Sequence, residues 1–124
     1  MTFTASAGSI AAIPVNSGAG SLSGASLALS SSAPTHAAWD VTGVPEITIT
    51  MTRFGTLTGD CSLTLQISID GGLNYRDYKV YSNAQINVAA GFAVTERVKA
   101  TNARMVLTPG TMTGANGLNV RGLF

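Results

Sequence analysis

From residue 41 onward, apolar and polar side chains alternate in short runs. Ile47, Ile49 and Met51 alternate with Thr48, Thr50 and Thr52, the period-two pattern of a strand with one buried face. After a turn around Gly55–Gly59, Leu63, Leu65, Ile67 and Ile69 alternate with Ser62, Thr64, Gln66 and Ser68. Asp70-Gly71-Gly72 then predicts a hairpin turn into a strand near Tyr75–Tyr81. Further strands are expected at Ile86–Val88, at Phe92–Val98, at Ala103–Leu107 before Pro109-Gly110, and at Leu118–Phe124. A helix over 89–101 is the alternative for that stretch, but Gly91 and four β-branched residues oppose it.

The first 38 residues read differently. They are rich in Ala, Ser and Gly, and the first charged residue is Asp40. Larger apolar residues are widely spaced (Phe3, Ile10, Ile13, Val15, Leu22, Leu27 and Leu29), and Gly8, Pro14, Gly18, Gly20, Gly24 and Pro34 punctuate them. This pattern predicts an extended arm with short strands around 10–15 and 25–30. Such an arm is expected to lie in a groove or to add to a sheet, its own or a neighbour's. The alternative is that it forms the first strands of the same domain.

Short strands at intervals of about 8–12 residues, separated by turn residues, predict a sandwich or barrel and not βαβ units. The expected architecture is all-β: a single antiparallel β-sandwich, jelly-roll-like, spanning 39–124, with an extended N-terminal arm over 1–38.

Composition sharpens this picture. The chain has 124 residues, enough for one domain, and only 10% of them are charged, against roughly 25% in a typical soluble domain. The strands' outward positions carry Thr and Ser where Lys and Glu usually protect a free face. Such a surface suits a face covered by neighbours, since charge is depleted at interface cores. A net charge of +1, with no basic run, argues against nucleic-acid binding. No apolar run reaches the length of a membrane span, about 18 residues. No basic region precedes an apolar stretch at the N-terminus, so no signal peptide is expected and assembly falls in a cytoplasm.

Candidate chemistry is sparse. The single histidine, His36, lies among Pro34, Thr35 and Ala37 and reads as an exposed or interface residue, not as part of a triad. Cys61 reads as a small buried hydrophobe; with His36 it falls short of a zinc ligand set. Asp70, Asn74 and Asp77 lack the spacing of a calcium loop, and Asp70 is expected to cap the turn through its backbone. Tyr75, Arg76, Tyr78, Lys79 and Tyr81 form an aromatic–basic cluster. A regular strand would place Tyr75, Asp77, Lys79 and Tyr81 on one face and Arg76, Tyr78 and Val80 on the other. The cluster reads either as a contact patch or as ordinary cross-strand packing.

The segments Trp39-Asp40-Val41-Thr42-Gly43, Ile47-Thr48-Ile49-Thr50-Met51, Leu65 through Tyr75, Ala103-Arg104-Met105-Val106-Leu107-Thr108 and Leu118-Asn119-Val120 recur in an order that resembles a module of tailed-bacteriophage virion proteins. These modules are discoidin-like or jelly-roll β-sandwiches on capsids, tails and fibres. Tyr75 stands where Trp is commoner, and the long arm is a further departure. The resemblance implies a virion structural protein, first of all a capsid decoration (cement) protein bridging head subunits, and alternatively a tail, tail-tip or head–tail connector accessory. Its expected partners are a major capsid protein or other virion proteins and further copies of itself, a trimer included. No enzymatic activity, cofactor, metal, nucleic acid or membrane is expected. The interface candidates are Phe3, Ile10, Ile13, Leu22, Leu27, Leu29, Trp39, Tyr75, Arg76, Tyr78 and Tyr81. A reading of another class is a carbohydrate-binding sandwich using Tyr75, Tyr81 and Asp77.

Overall fold

The computed structural model describes residues 23–114 and 116–124. Their strands are β1 (Leu27–Ser30), β2 (Trp39–Asp40), β3 (Glu46–Phe54), β4 (Ser62–Ser68), β5 (Arg76–Tyr81), β6 (Phe92–Arg97), β7 (Asn102–Thr108) and β8 (Gly117–Leu123), with one helical turn, α1 (Asn83–Ile86), between β5 and β6. Every pairing is antiparallel. One sheet has the order β1-β8-β3-β6 and the other β2-β7-β4-β5. Apart from the β4–β5 hairpin, successive strands alternate between the two sheets in the manner of a jelly roll. No helix among the described residues is long and apolar enough to cross a membrane.

The alternation in the sequence is the alternation in the fold. Ile47, Ile49 and Met51 on β3 and Leu63 and Leu65 on β4 point inward and are buried, facing each other across the layer with Met105, Leu107, Leu118 and Val120. Burying each such side chain contributes roughly 1.5–3 kcal/mol.

The sandwich begins earlier than residue 39. β1 pairs along β8, with Leu27 opposite Val120 and Leu29 opposite Leu118, and Leu29 is fully buried. Ser23 closes the same corner: its hydroxyl donates to the Phe124 carbonyl and accepts from the Phe124 N–H. The segment 23–38 is therefore built into the domain, because its inward leucine is part of the core. The expected strand at 25–30 is β1; the one at 10–15 lies outside the described residues.

Two local expectations are corrected. Ile86 does not open a strand; it ends the single turn α1 and is buried there. Ser82 precedes the turn and its N–H donates to the Gln85 side chain, the S-x-x-Q arrangement of a capping box. That signal was in the sequence and outweighs the β-branched Ile and Val. Strand β5 is also not regular. Leu65 pairs with Lys79 but Gln66 pairs with Asp77, so Tyr78 is an extra, bulged residue. A bulge reverses the face on which later residues point. Asp77 therefore shares the outer face with Gln66, while Lys79 and Tyr81 turn to the other side.

Candidate interaction surface

The interface residues expected from the sequence separate into three groups. Leu29, Trp39 and Tyr81 are buried in the core, so they are withdrawn as contact residues: each occupies an inward position of its strand. Leu27 is half-buried against the same core. Phe3, Ile10, Ile13 and Leu22 lie outside the described residues. Arg76 is exposed, Tyr75 is half-buried and Tyr78 is 43% exposed.

The aromatic cluster is thereby divided. The Arg104 guanidinium sits 3.8 Å above the Tyr75 ring, a cation–π contact. The Tyr78 hydroxyl donates to the Arg97 carbonyl at 2.6 Å, joining the β5 edge to β6 in the other sheet. Tyr81 donates to Glu96 at 2.6 Å, and Lys79 stands 3.8 Å from the same carboxylate. Burial, then the Glu96 carboxylate, push the Tyr81 phenol well up. Tyr75, Tyr81 and Asp77 thus form no common platform for a sugar: Tyr81 points away from the face that carries Asp77.

The outer face of sheet β2-β7-β4-β5 combines Val80, 57% exposed, and the half-buried Val106 with a hydrogen-bonded polar row. Arg104 donates to Gln66, and Gln66 donates to Asp77, both at 2.9 Å. The outer face of sheet β1-β8-β3-β6 is different. Register places Thr48, Thr50 and Thr52 beside Thr95 and Ala93 of β6 on one side and beside Leu123, Arg121 and Asn119 of β8 on the other. Thr48 and Thr95 hydroxyls bond each other at 3.0 Å. Arg121 is the one charge within these rows; at the rim Glu46 and Arg97 form an ion pair at 3.3 Å. This face of hydroxyls and methyls bears out the expectation of Thr-rich outward positions on β3.

One end of the sandwich carries a second exposed apolar feature. Ile69 and Leu73 flank the β4–β5 turn and are 73% and 83% exposed. The loop between them is held rigidly. The Asp70 carboxylate accepts from the Ser68 hydroxyl and from the backbone and side-chain amides of Asn74, and the Ser68 hydroxyl accepts from the Gly72 N–H. Hydrogen bonds from Ser68 and then Asn74 hold Asp70 at a pKa of about 2. Gly71 and Gly72 both have positive φ, 76° and 92°, which a residue with a side chain rarely adopts. Sequence alternation had placed Ile69 inside; the turn begins one residue too soon for that.

Chemistry elsewhere is occupied. His36 Nδ1–H donates to the Ala37 carbonyl and Nε2 accepts from the Met105 N–H at 3.0 Å, so neither nitrogen is free to act as a base. Its half-buried ring lies 4.5 Å from that of Trp39, which corrects the exposed alternative of the expectation. Cys61 is a buried free thiol donating to the Pro109 carbonyl. Asp60 accepts from Thr58 and from the backbone and hydroxyl of Thr111. A shallow cleft of about 600 Å³ between Pro45–Glu46 and Arg97–Lys99 is lined by one carboxylate, Glu46, which is paired with Arg97, and by the amine of Lys99. Among the described residues, no three of His, Cys, Asp and Glu converge on a point that could hold a metal ion.

Comparison with family models, with curated proteins and with solved structures finds no match to this chain.

Proposed function

We propose that this protein is a structural component of a bacteriophage virion, a capsid decoration protein that stabilises the head by burying surface between neighbouring subunits. One observation carries this reading: the outer face of sheet β1-β8-β3-β6 is a field of Thr, Ala, Asn and Leu123 whose one charge inside the Glu46–Arg97 rim is Arg121. An exposed sheet face of that kind has few of the charges that keep free faces apart and costs less to desolvate against a partner than a charged face would. The rigid Ile69/Leu73 tip adds an apolar anchor that loses little entropy on docking.

The test is assembly. Purified protein is mixed with empty capsids and, separately, with tail tubes, and bound protein is separated by sedimentation. Saturable binding to capsids is the expected result. Thr52→Glu with Ala93→Glu, two exposed positions on the face, should abolish it while changing monomer stability by no more than about 1 kcal/mol. A protein that stays monomeric and binds neither particle overturns the reading.

A further inference from the structure

The free edge of β7 is closed in an unusual way. Amides of an antiparallel strand point alternately to its two sides; those of Met105 and Leu107 point away from β4. The Leu107 N–H donates to the Pro34 carbonyl at 2.8 Å. The Met105 N–H has no backbone acceptor among the described residues and donates to His36 Nε2.

The reason lies in the register. Thr35 bridges Val106 and Trp39 pairs with Ala103, so four steps along this segment face three along β7. One residue too many leaves the backbone unable to follow the strand, and the imidazole supplies the missing acceptor. That role requires a bare Nε2 lone pair, hence the neutral ring with its proton on Nδ1.

We propose that residues 34–38 are an acid-released clasp on the β7 edge, with His36 as its latch. Protonation places a hydrogen on Nε2, directly against the Met105 N–H, and turns an acceptor into a second donor. Apart from the Ala37 carbonyl, which accepts from Nδ1 and favours the protonated ring, the groups around the ring do not favour that charge. Arg104 on β7 opposes it, and Trp39, Leu27, Leu29 and Phe124 on the same side of the sandwich carry no ionisable side chain. Asp40 on β2 is exposed, Asp77 on β5 is engaged by Gln66, and the Tyr75 phenol lies beneath Arg104. Burial, with Arg104, accordingly lowers the His36 pKa below its usual value. Opening frees the Met105 and Leu107 amides, a strand edge of the kind to which another strand adds.

The test is amide hydrogen exchange of the full chain between pH 7.5 and 4.5, corrected for intrinsic rates, with nitrogen NMR of the imidazole. At pH 7.5 the ring should be the Nδ1–H tautomer. As it titrates, protection at Met105 and Leu107 should fall about tenfold, the order expected when a buried amide loses its acceptor, while Leu65 in β4 keeps its protection. His36→Gln places a non-titrating oxygen near the Nε2 position and should hold protection constant with pH. An Nε2–H tautomer at neutral pH, unchanged protection in the native protein, or the same fall in His36→Gln would each overturn the proposal.

Discussion

Gly122 on β8 faces Trp39 on β2 across the core, and a Cβ built on Gly122 would stand 2.8 Å from Trp39 Cζ2. The two sheets approach closely here because one partner has no side chain and the other has the largest. Trp39 is fully buried, its ring 6.2 Å from Phe124, and its indole N–H has no hydrogen-bond partner among the described residues. Shape, not polarity, holds the tryptophan in place.

Gly122→Ala should therefore destabilise the fold by about 1–3 kcal/mol through overpacking, and Trp39→Ala by about 3–5 kcal/mol through the cavity it leaves. Combining Gly122→Ala with Trp39→Phe, which removes the ring edge nearest the new methyl, should cost less than the sum of the two single changes. Denaturant unfolding measures all four values. Strict additivity would mean that the two residues do not compete for space.

The pair Tyr81 and Glu96 predicts an alkaline limit to stability. The folded phenol titrates above its ordinary value of 10.0, so the fold favours the protonated form. That stability is complete below the unfolded value and declines once pH exceeds about 10. Tyr81→Phe should flatten the decline. At neutral pH the same change should cost about 1–3 kcal/mol, since Glu96 is buried and keeps only Lys79 at 3.8 Å. Unfolding curves at pH 7 and pH 11 check both statements.

Asp70 predicts the opposite limb. Its folded pKa of about 2 lies below the ordinary 3.8, so its contribution is present above 3.8 and lost as pH falls toward 2. Asp70→Asn should lower the thermal midpoint at pH 7 and weaken its dependence on acid between these values. The hairpin amides of Gly72 and Asn74 should exchange faster in the variant. An unaltered acid profile would show that the carboxylate's hydrogen bonds contribute nothing in solution.

Most strands were legible in the sequence because period-two alternation is a local property. Thr48, Thr50 and Thr52 announce an outward face wherever β3 happens to pair, and Asp70-Gly71-Gly72 announces a turn through its backbone requirements alone. The two-layer, all-β architecture follows from the spacing of such runs. What the tertiary structure alone decided is non-local. Trp39, Tyr81 and Leu29 read as contact residues until their strands were placed over the opposite sheet, which covers them. Tyr78 read as a regular strand position until the register with β4 made it a bulge. His36 read as bland because its partner, the Met105 amide, is distant in sequence and needs a side-chain acceptor only through the mismatch between two chain segments. Alternation records which side of a strand is apolar; only the packed fold determines what lies against that side, and so which polar atoms must find a partner there.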